Sequence, residues 1–198
     1  MLAYLLGCSN MALYLSRLKK VNFRDKGSGN LGASNATLLL GWKAGVLVAL
    51  HDAGKAFLAV LLCRWLFPNL EYVGAVAGIA CVLGHIFPFY LKFKGGKGTA
   101  SFVGLTLALN WRLALLVLAI LILATIVTDY LVIGTFSSIV TVPVYMGLFE
   151  RNLNLMAIVC IASFAIFWKH RENIGRMIRR EEIGLRSTMR GEKRYRKQ

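Results

Sequence analysis

Gly84-His85-Ile86-Phe87-Pro88-Phe89-Tyr90-Leu91-Lys92-Phe93-Lys94-Gly95-Gly96-Lys97-Gly98-Thr99 is the stretch on which the reading of this chain turns. It closes one apolar run, Tyr72–Tyr90, and opens another, Thr99–Leu109. Between them Lys94-Gly95-Gly96-Lys97-Gly98 sets three glycines among ammonium groups at the edge of oily sequence. Glycines this close leave backbone N–H groups unshielded, and bare backbone flanked by cations suits a phosphate. The run is not a Walker A loop, because Gly98 follows Lys97 where that motif needs Ser or Thr. Its glycines open the next helix, whose N-terminal N–H groups and dipole favour an anion. The plainer reading is a basic loop with a flexible turn, and a lone histidine near a helix end, as His85 is, more often makes a structural hydrogen bond than does chemistry.

Composition places these apolar runs in a membrane. The chain has 198 residues, 57% hydrophobic and only 17% charged, where a soluble domain carries about 25% charged residues. Mean hydropathy is +0.60, yet the formal net charge is +15. Spans that cross a bilayer, with basic residues gathered on one face, reconcile the two. Nucleic-acid binding, the other use of such charge, fits poorly because the cations are interspersed with spans. Cys8, Cys63, Cys81 and Cys160 each lie in an apolar stretch without a CxxC pair. They read as small buried hydrophobes, with no disulfide framework and no metal site. Met1 to Leu15 lacks a basic n-region, so it reads as a retained span and not as a signal peptide.

Seven apolar segments can be drawn: Leu2–Leu18, Ala44–Leu66, Tyr72–Tyr90, Thr99–Leu109, Leu113–Thr128, Leu131–Phe149 and Leu153–Trp168. The expected fold is an all-α integral membrane protein of about seven transmembrane helices. It divides into a membrane domain, 1–175, and a basic tail, 176–198. Alternate loops then fall on opposite sides. One side holds Arg17, Lys19, Lys20, Arg24, Lys26, Lys43, Lys92, Lys94, Lys97 and the tail from Lys169; the other holds Arg64, Arg112 and Arg151. By the positive-inside rule the rich side is cytoplasmic, which puts the N-terminus outside. In the tail, Met177, Ile178, Ile183, Leu185 and Met189 alternate with arginines. That pattern fits either an amphipathic helix on an anionic leaflet or a solvated tail.

Two further polar clusters share the cytoplasmic side. Arg24-Asp25-Lys26-Gly27-Ser28-Gly29-Asn30-Leu31-Gly32-Ala33-Ser34-Asn35-Ala36-Thr37 contains G-x-G-x-x-G, with Asp52 downstream. A dinucleotide site would need a βαβ unit around it, and here a span lies on either side. What remains is a small-residue loop whose Ser28, Asn30, Ser34, Asn35 and Thr37 can ring a phosphate with neutral donors, or an ordinary polar turn. Lys169-His170-Arg171-Glu172-Asn173-Ile174-Gly175-Arg176 follows the last span. On one helical turn His170 and Asn173 share a face, and histidine suits proton transfer near neutral pH; a juxtamembrane anchor is the duller account. Within the second span, His51, Asp52 and Lys55 are costly at depth. Asp52 and Lys55 either serve function or pair to insert safely.

These clusters, in this order and on this many spans, resemble the PlsY family of bacterial membrane acyltransferases over nearly the whole chain. That family transfers an acyl group from acyl phosphate to glycerol 3-phosphate. Gly27-Ser28-Gly29-Asn30 through Gly32 and Asn35 is similar to its first motif, and Gly84-His85 through Lys94-Gly95-Gly96-Lys97-Gly98 to its second. His170-Arg171-Glu172-Asn173-Ile174 with Arg176 is similar to its third. The resemblance implies catalytic roles for Ser28, Asn30, Thr37, Lys97, His170 and Asn173. It implies substrate binding by Arg24, Gly27, Gly29, Gly32, Asn35, His85, Lys94, Gly95, Gly96 and Gly98. Asp52, Lys55 and Glu182 would be structural. Leu38 stands where the family carries an arginine, and leucine offers no donor to phosphate.

The implied reaction yields 1-acylglycerol 3-phosphate and inorganic phosphate at the cytoplasmic face of a bacterial inner membrane, with no metal or cofactor. The chain has no H-x-x-x-x-D pair: Ala56, Tyr90 and Gly175 stand five positions after His51, His85 and His170. An acyl phosphate is already activated, so alignment and charge stabilisation suffice. The alternatives are a diverged, non-catalytic lipid-phosphate binder, motivated by Leu38, and a small transporter. Transport would call for a matching polar cluster on the opposite side, and none is visible in the sequence.

Overall fold

Helix breaks, more than helices, shape this protein. The computed structural model describes residues 1–189, and every regular element among them is helical. In chain order these are α1 (Leu2–Cys8), α2 (Met11–Leu18), α3 (Ala33–Leu40), α4 (Trp42–Leu66), α5 (Val73–Ile86), α6 (Thr99–Leu109), α7 (Trp111–Thr128), α8 (Leu131–Leu148), α9 (Leu153–Lys169), α10 (Arg171–Ile178) and α11 (Leu185–Met189), with one 3-10 turn at Phe89–Leu91. Asparagines start three of them. Asn10, Asn110 and Asn152 accept through Oδ1 from Leu13, Leu113 and Leu155, satisfying amides that a helix start leaves orphaned. Gly41, at φ +88°, separates α3 from α4, and Gly98, at φ +92°, opens α6. Asp129 ends α7 in the left-handed region at φ +67°.

The first apolar segment departs from expectation. Leu2–Leu18 is not one helix but two, broken at Ser9-Asn10. Asn10 caps α2, and the Ser9 carbonyl accepts a hydrogen bond from Lys55 Nζ at 2.6 Å instead of continuing a helical ladder. The remaining drawn segments correspond one to one with α4 through α9. Among the described residues, four stretches (α4, α5 through its 3-10 turn, α7 and α8) are individually long and apolar enough to cross a membrane. The pair α9 and α10, bent by 45°, makes a fifth when counted together. The eleven residues of α6 extend only about 16 Å at 1.5 Å per residue. The boundary expected at 175/176 falls inside α10. The 190–198 part of the expected basic tail lies outside the described residues.

From α4 to α9 the chain runs up and down. α4 packs on α5 and α6, α7 on α8, and α9 on α5 and α8. The shared core contains Val60, Val82, Phe102, Leu105, Val117, Met146 and Ile166. Small residues let backbones close in: a Cβ on Gly104 would overlap Ala53 of α4, and one on Gly7 would overlap Cys81 of α5. The outer surface is apolar as well. Leu50, Leu123, Val127, Leu148 and Phe164 are between 63 and 71% exposed, an arrangement favourable in hydrocarbon and costly in water. Cys8 and Cys81 are buried as expected, whereas Cys160 lies on that outer surface and Cys63 is half-buried; all four are free thiols. Cys160 belongs to the outward stripe of α9, where any apolar side chain serves.

Turns at one end of the bundle are short and tied together. Arg64 donates to the Ala108 carbonyl at 2.8 Å, Asn110 Nδ2 to Glu150 Oε1 at 2.8 Å, and Tyr72 to Asn152 at 3.4 Å. The other end collects the long connections, and all three polar clusters of the sequence lie there.

Candidate active site

The second and third clusters meet at Lys97. Its ammonium lies 2.5 Å from Asn173 Oδ1, and Asn173 Nδ2 donates to Glu182 Oε1 at 2.5 Å. Arg176 Nε donates to Glu182 Oε2 at 2.7 Å. The Asn173 amide is therefore oriented by partners at both ends: an ammonium can only donate and a carboxylate can only accept. Burial pushes the Lys97 amine down to about 8, with Glu182 opposing that shift and Arg176 adding to it. At neutral pH Lys97 is still cationic. The expected helical face of His170 and Asn173 is present, with His170 at the junction of α9 and α10 and Asn173 one turn into α10.

His170 is buried, and its Nδ1 lies 2.8 Å from the Ile166 carbonyl. That oxygen can only accept, so Nδ1 carries the proton and Nε2 the lone pair. Burial, together with the nearby Lys97 charge, pushes the imidazole down to about 4. His170 is accordingly neutral at pH 7, an acceptor of hydrogen bonds and a weak base.

Asn35 organises the first cluster. It is 1% exposed. Its Oδ1 accepts from the Ser28 amide at 2.8 Å, and its Nδ2 reaches the carbonyls of Phe23, Lys26 and Asn30 at 3.0 to 3.3 Å. One side chain thus holds four points of a loop whose Gly27 and Gly29 sit in the left-handed region at φ +61° and +69°. Gly32 caps α3, so the stretch read as a loop through Thr37 becomes helical at Ala33. Helix periodicity then separates Asn35 from Thr37. Thr37 Oγ1 bonds back to the Ala33 carbonyl at 3.0 Å, and a Cβ on Gly45 of α4 would overlap it. Asn35 faces the loop and Thr37 faces α4. Leu38 lies over Gly27.

Two contacts join the first cluster to the second. Arg24 donates through its guanidinium to the Lys94 carbonyl, and the Leu31 carbonyl lies against Gly96. The Gly95 and Gly96 amides, read from sequence as bare, are already spent. They donate to Ile86 and His85 carbonyls at 2.9 and 3.1 Å and fold the loop back over the end of α5. A Cβ on Gly96 would overlap the His85 imidazole, so glycine is needed here for close approach. Gly98, the N-cap of α6, is pressed against Ile86 and Ile166.

His85 faces inward, not toward the open end. Its Nδ1 lies 2.9 Å from Lys55 Nζ, and Lys55 pairs with Asp52 at 3.0 Å. His51 joins the same carboxylate at 3.3 Å and Ser9 at 3.0 Å. Asp52, Lys55 and His85 are all buried. The pairing read as a device for safe insertion is present, and it extends through His85 to the underside of Gly96.

Some residues here escaped the sequence reading. Tyr4 and Tyr90 tie α1 to the second loop through the Phe87 and Cys8 carbonyls, at 2.7 Å each. Asp129, noted only as a turn residue, accepts from the Leu185 amide on its carbonyl at 2.7 Å and from the Arg186 amide on Oδ1 at 2.8 Å. The opposite end also has a polar cluster, contrary to the reading from sequence. Arg64, Glu71, Tyr72, Glu150 and Asn152 line a cavity of about 150 Å³. These residues come from the last turn of α4 and from two separate connections, so no linear stretch announces them.

Known proteins share this sequence and this fold. The profile of the glycerol-3-phosphate acyltransferase family matches residues 1–180. A glycerol-3-phosphate acyltransferase 1 of Oceanobacillus iheyensis is 39% identical, over 98% of this chain and 96% of the relative. A glycerol-3-phosphate acyltransferase of Thermoanaerobacter pseudethanolicus is 38% identical over 93% of this chain and 92% of the relative. Among solved structures, PlsY, an integral membrane glycerol 3-phosphate acyltransferase, in its glycerol 3-phosphate form superposes with a TM-score of 0.89 at 31% identity, covering 95% of this chain and 94% of that one. Its lysophosphatidic acid form gives a TM-score of 0.84. With fold and sequence in agreement over nearly its full length, this chain belongs to the membrane glycerol-3-phosphate acyltransferase family.

Proposed function

We propose that this protein transfers a fatty acyl group from acyl phosphate to the sn-1 hydroxyl of glycerol 3-phosphate, releasing lysophosphatidate and phosphate. The observation that carries the reading is Lys97: a cationic, buried ammonium held by Asn173 where the second and third clusters join. Beside it begins α6, whose first amides make a further anion-favouring end. The substrate hydroxyl attacks the acyl carbonyl, a carbon–oxygen bond forms, and the bond from that carbon to the bridging phosphate oxygen breaks. Lys97 neutralises charge gathering on the phosphates. His170, with a lone pair on Nε2 and its basicity depressed, orients the hydroxyl. The proton passes to a phosphate oxygen, whose second pKa of about 6 makes it a better base than this imidazole. Ser28 and Asn30 complete the phosphate ring, and Asn35 holds that loop in shape. Because Thr37 faces α4, it supports α3 and makes no phosphate contact in this reading.

The reading places the three-cluster end at the cytoplasmic face of the inner membrane, the N-terminus outside, and seven crossings counted with α1 and α2 as the first. Cation asymmetry supports it: Arg64, Arg112 and Arg151 fall at the tied end and the loop cations at the other. The acyl chain would then lie among the apolar helix faces. The test is phosphate release from palmitoyl phosphate by protein in lipid vesicles, with and without glycerol 3-phosphate. Release that depends on glycerol 3-phosphate, with lysophosphatidate formed in equal amount, is expected. Absence of both, with glycerol 3-phosphate still bound, would instead identify a non-catalytic binder.

A further inference from the structure

The segment after α10 returns to the body of the protein. Arg180, at φ +57°, reverses the chain. The Glu181 amide closes on the Arg176 carbonyl at 2.7 Å, and Glu182 then reaches Asn173 and Arg176. Two residues later the backbone docks on the α7–α8 turn. Asp129 receives consecutive amides there, Leu185 on its carbonyl and Arg186 on its carboxylate. The fit is close, since a Cβ on Gly184 would overlap the Asp129 carboxylate. The strap is thus held at two points, one of which is the Glu182 carboxylate itself.

We propose that Asp129 is a positioning residue for the acyl-transfer site: it clasps the strap that carries Glu182, and Glu182 through the Asn173 amide fixes the Lys97 ammonium. Ordering backbone costs conformational entropy, and with the clasp lost, Glu182 and the Arg186 guanidinium on the Ile126 carbonyl at 3.3 Å are left to hold the segment. The inference rests on the acyl-transfer reading only for its kinetic readout. The charged groups around Lys97 are Glu182 and Glu172, which raise its pKa, and Arg176 and Lys169, which lower it; His170 is neutral. Glu182 is the largest of the four and opposes the burial that pushes the Lys97 pKa down, so loosening it weakens the contribution that holds that pKa up.

The substitutions separate the clasp from ordinary stability. Asp129→Gly keeps the left-handed backbone without strain but removes the carboxylate acceptor. Asp129→Asn keeps an acceptor oxygen, and asparagine tolerates the same backbone region. Gly184→Ala attacks the contact from the strap side. Two measurements read the outcome: the alkaline limb of kcat/KM, and the pH dependence of amine labelling at Lys97 followed by mass spectrometry. Asp129→Gly and Gly184→Ala should each move both to lower pH by about half a unit, a roughly threefold loss of kcat/KM on that limb, with Asp129→Asn near wild type. Unmoved labelling in both disruptive variants, with folding confirmed by thermal melting, would overturn the proposal. So would an equal shift in Asp129→Asn. An inactive wild type with normal labelling shifts would defeat the acyl-transfer reading and leave the clasp standing.

Discussion

Two charge clusters lie one above the other in this molecule, and they differ in how completely they are closed. The inner one, His51, Asp52, Lys55 and His85, is enclosed among α1, α4 and α5. There Lys55 is shared among the Asp52 carboxylate, the Ser9 carbonyl and the His85 ring. The outer one, Lys97, Asn173, Arg176 and Glu182, joins a loop, a helix and the returning strap. In the inner cluster the cation meets a full anion directly. In the outer one Arg176 takes the direct pair with Glu182 and a neutral amide stands between Glu182 and Lys97, so ammonium donors remain for an incoming phosphate. The first arrangement suits insertion and support of the Gly96 loop, the second substrate.

The largest effect should come from opening the inner cluster. Asp52→Asn strands a buried ammonium, and breaking a buried pair in this way costs about 3–5 kcal/mol. Thermal melting in lipid should register that loss, and Asp52→Asn combined with Lys55→Met should recover most of it. If the single variant melted with wild type, the inner charges would not be a closed structural pair, and the contrast with Lys97 would fail.

Next in size is Lys97→Ala. Removing a preorganised donor for developing charge costs about 10²–10³ in kcat. Stability should hold or rise, because the variant relieves a lysine whose burial already disfavours its charge. The two substitutions therefore divide cleanly, one lowering melting temperature and the other turnover. A Lys97→Ala protein that turned over normally would remove Lys97 from the chemistry.

Sequence made the bundle legible because apolar runs and their breaks are local signals. The segments from the second onward were placed well, and α6 spans Thr99–Leu109 as drawn. The first segment failed because its break depends on Lys55, 46 residues away, taking the Ser9 carbonyl. The three clusters were visible as composition, and Asn173 and His170 as a helical pair. Internal geometry was not. Whether Gly95 and Gly96 bare their amides depends on where the end of α5 lies, and whether Thr37 faces the loop depends on a helix starting at Ala33. Asp129 left no mark beyond a turn, since its partners are more than fifty positions further along the chain.

The smallest predicted effect probes the outer cluster without any substitution. Lys97 must be protonated to meet phosphate, and in the free protein it releases its proton at about pH 8. The competent form is therefore present below that value and lost above it, so kcat/KM should fall about tenfold per pH unit on the alkaline side. Bound phosphate favours the charged amine, so the limb of kcat should lie at higher pH than that of kcat/KM. On the acid side His170, pushed down to about 4, contributes no limb near pH 6.5. The acid fall in kcat/KM should instead follow the phosphate groups of the substrates and move when a substrate of different phosphate pKa is supplied. An acid limb fixed near 6.5 for every substrate, and abolished in His170→Asn, would mean the imidazole titrates at its ordinary value and acts as the base. The outer cluster would then hold a working proton acceptor as well as a cation, and the division drawn between the two clusters would have to include proton transfer.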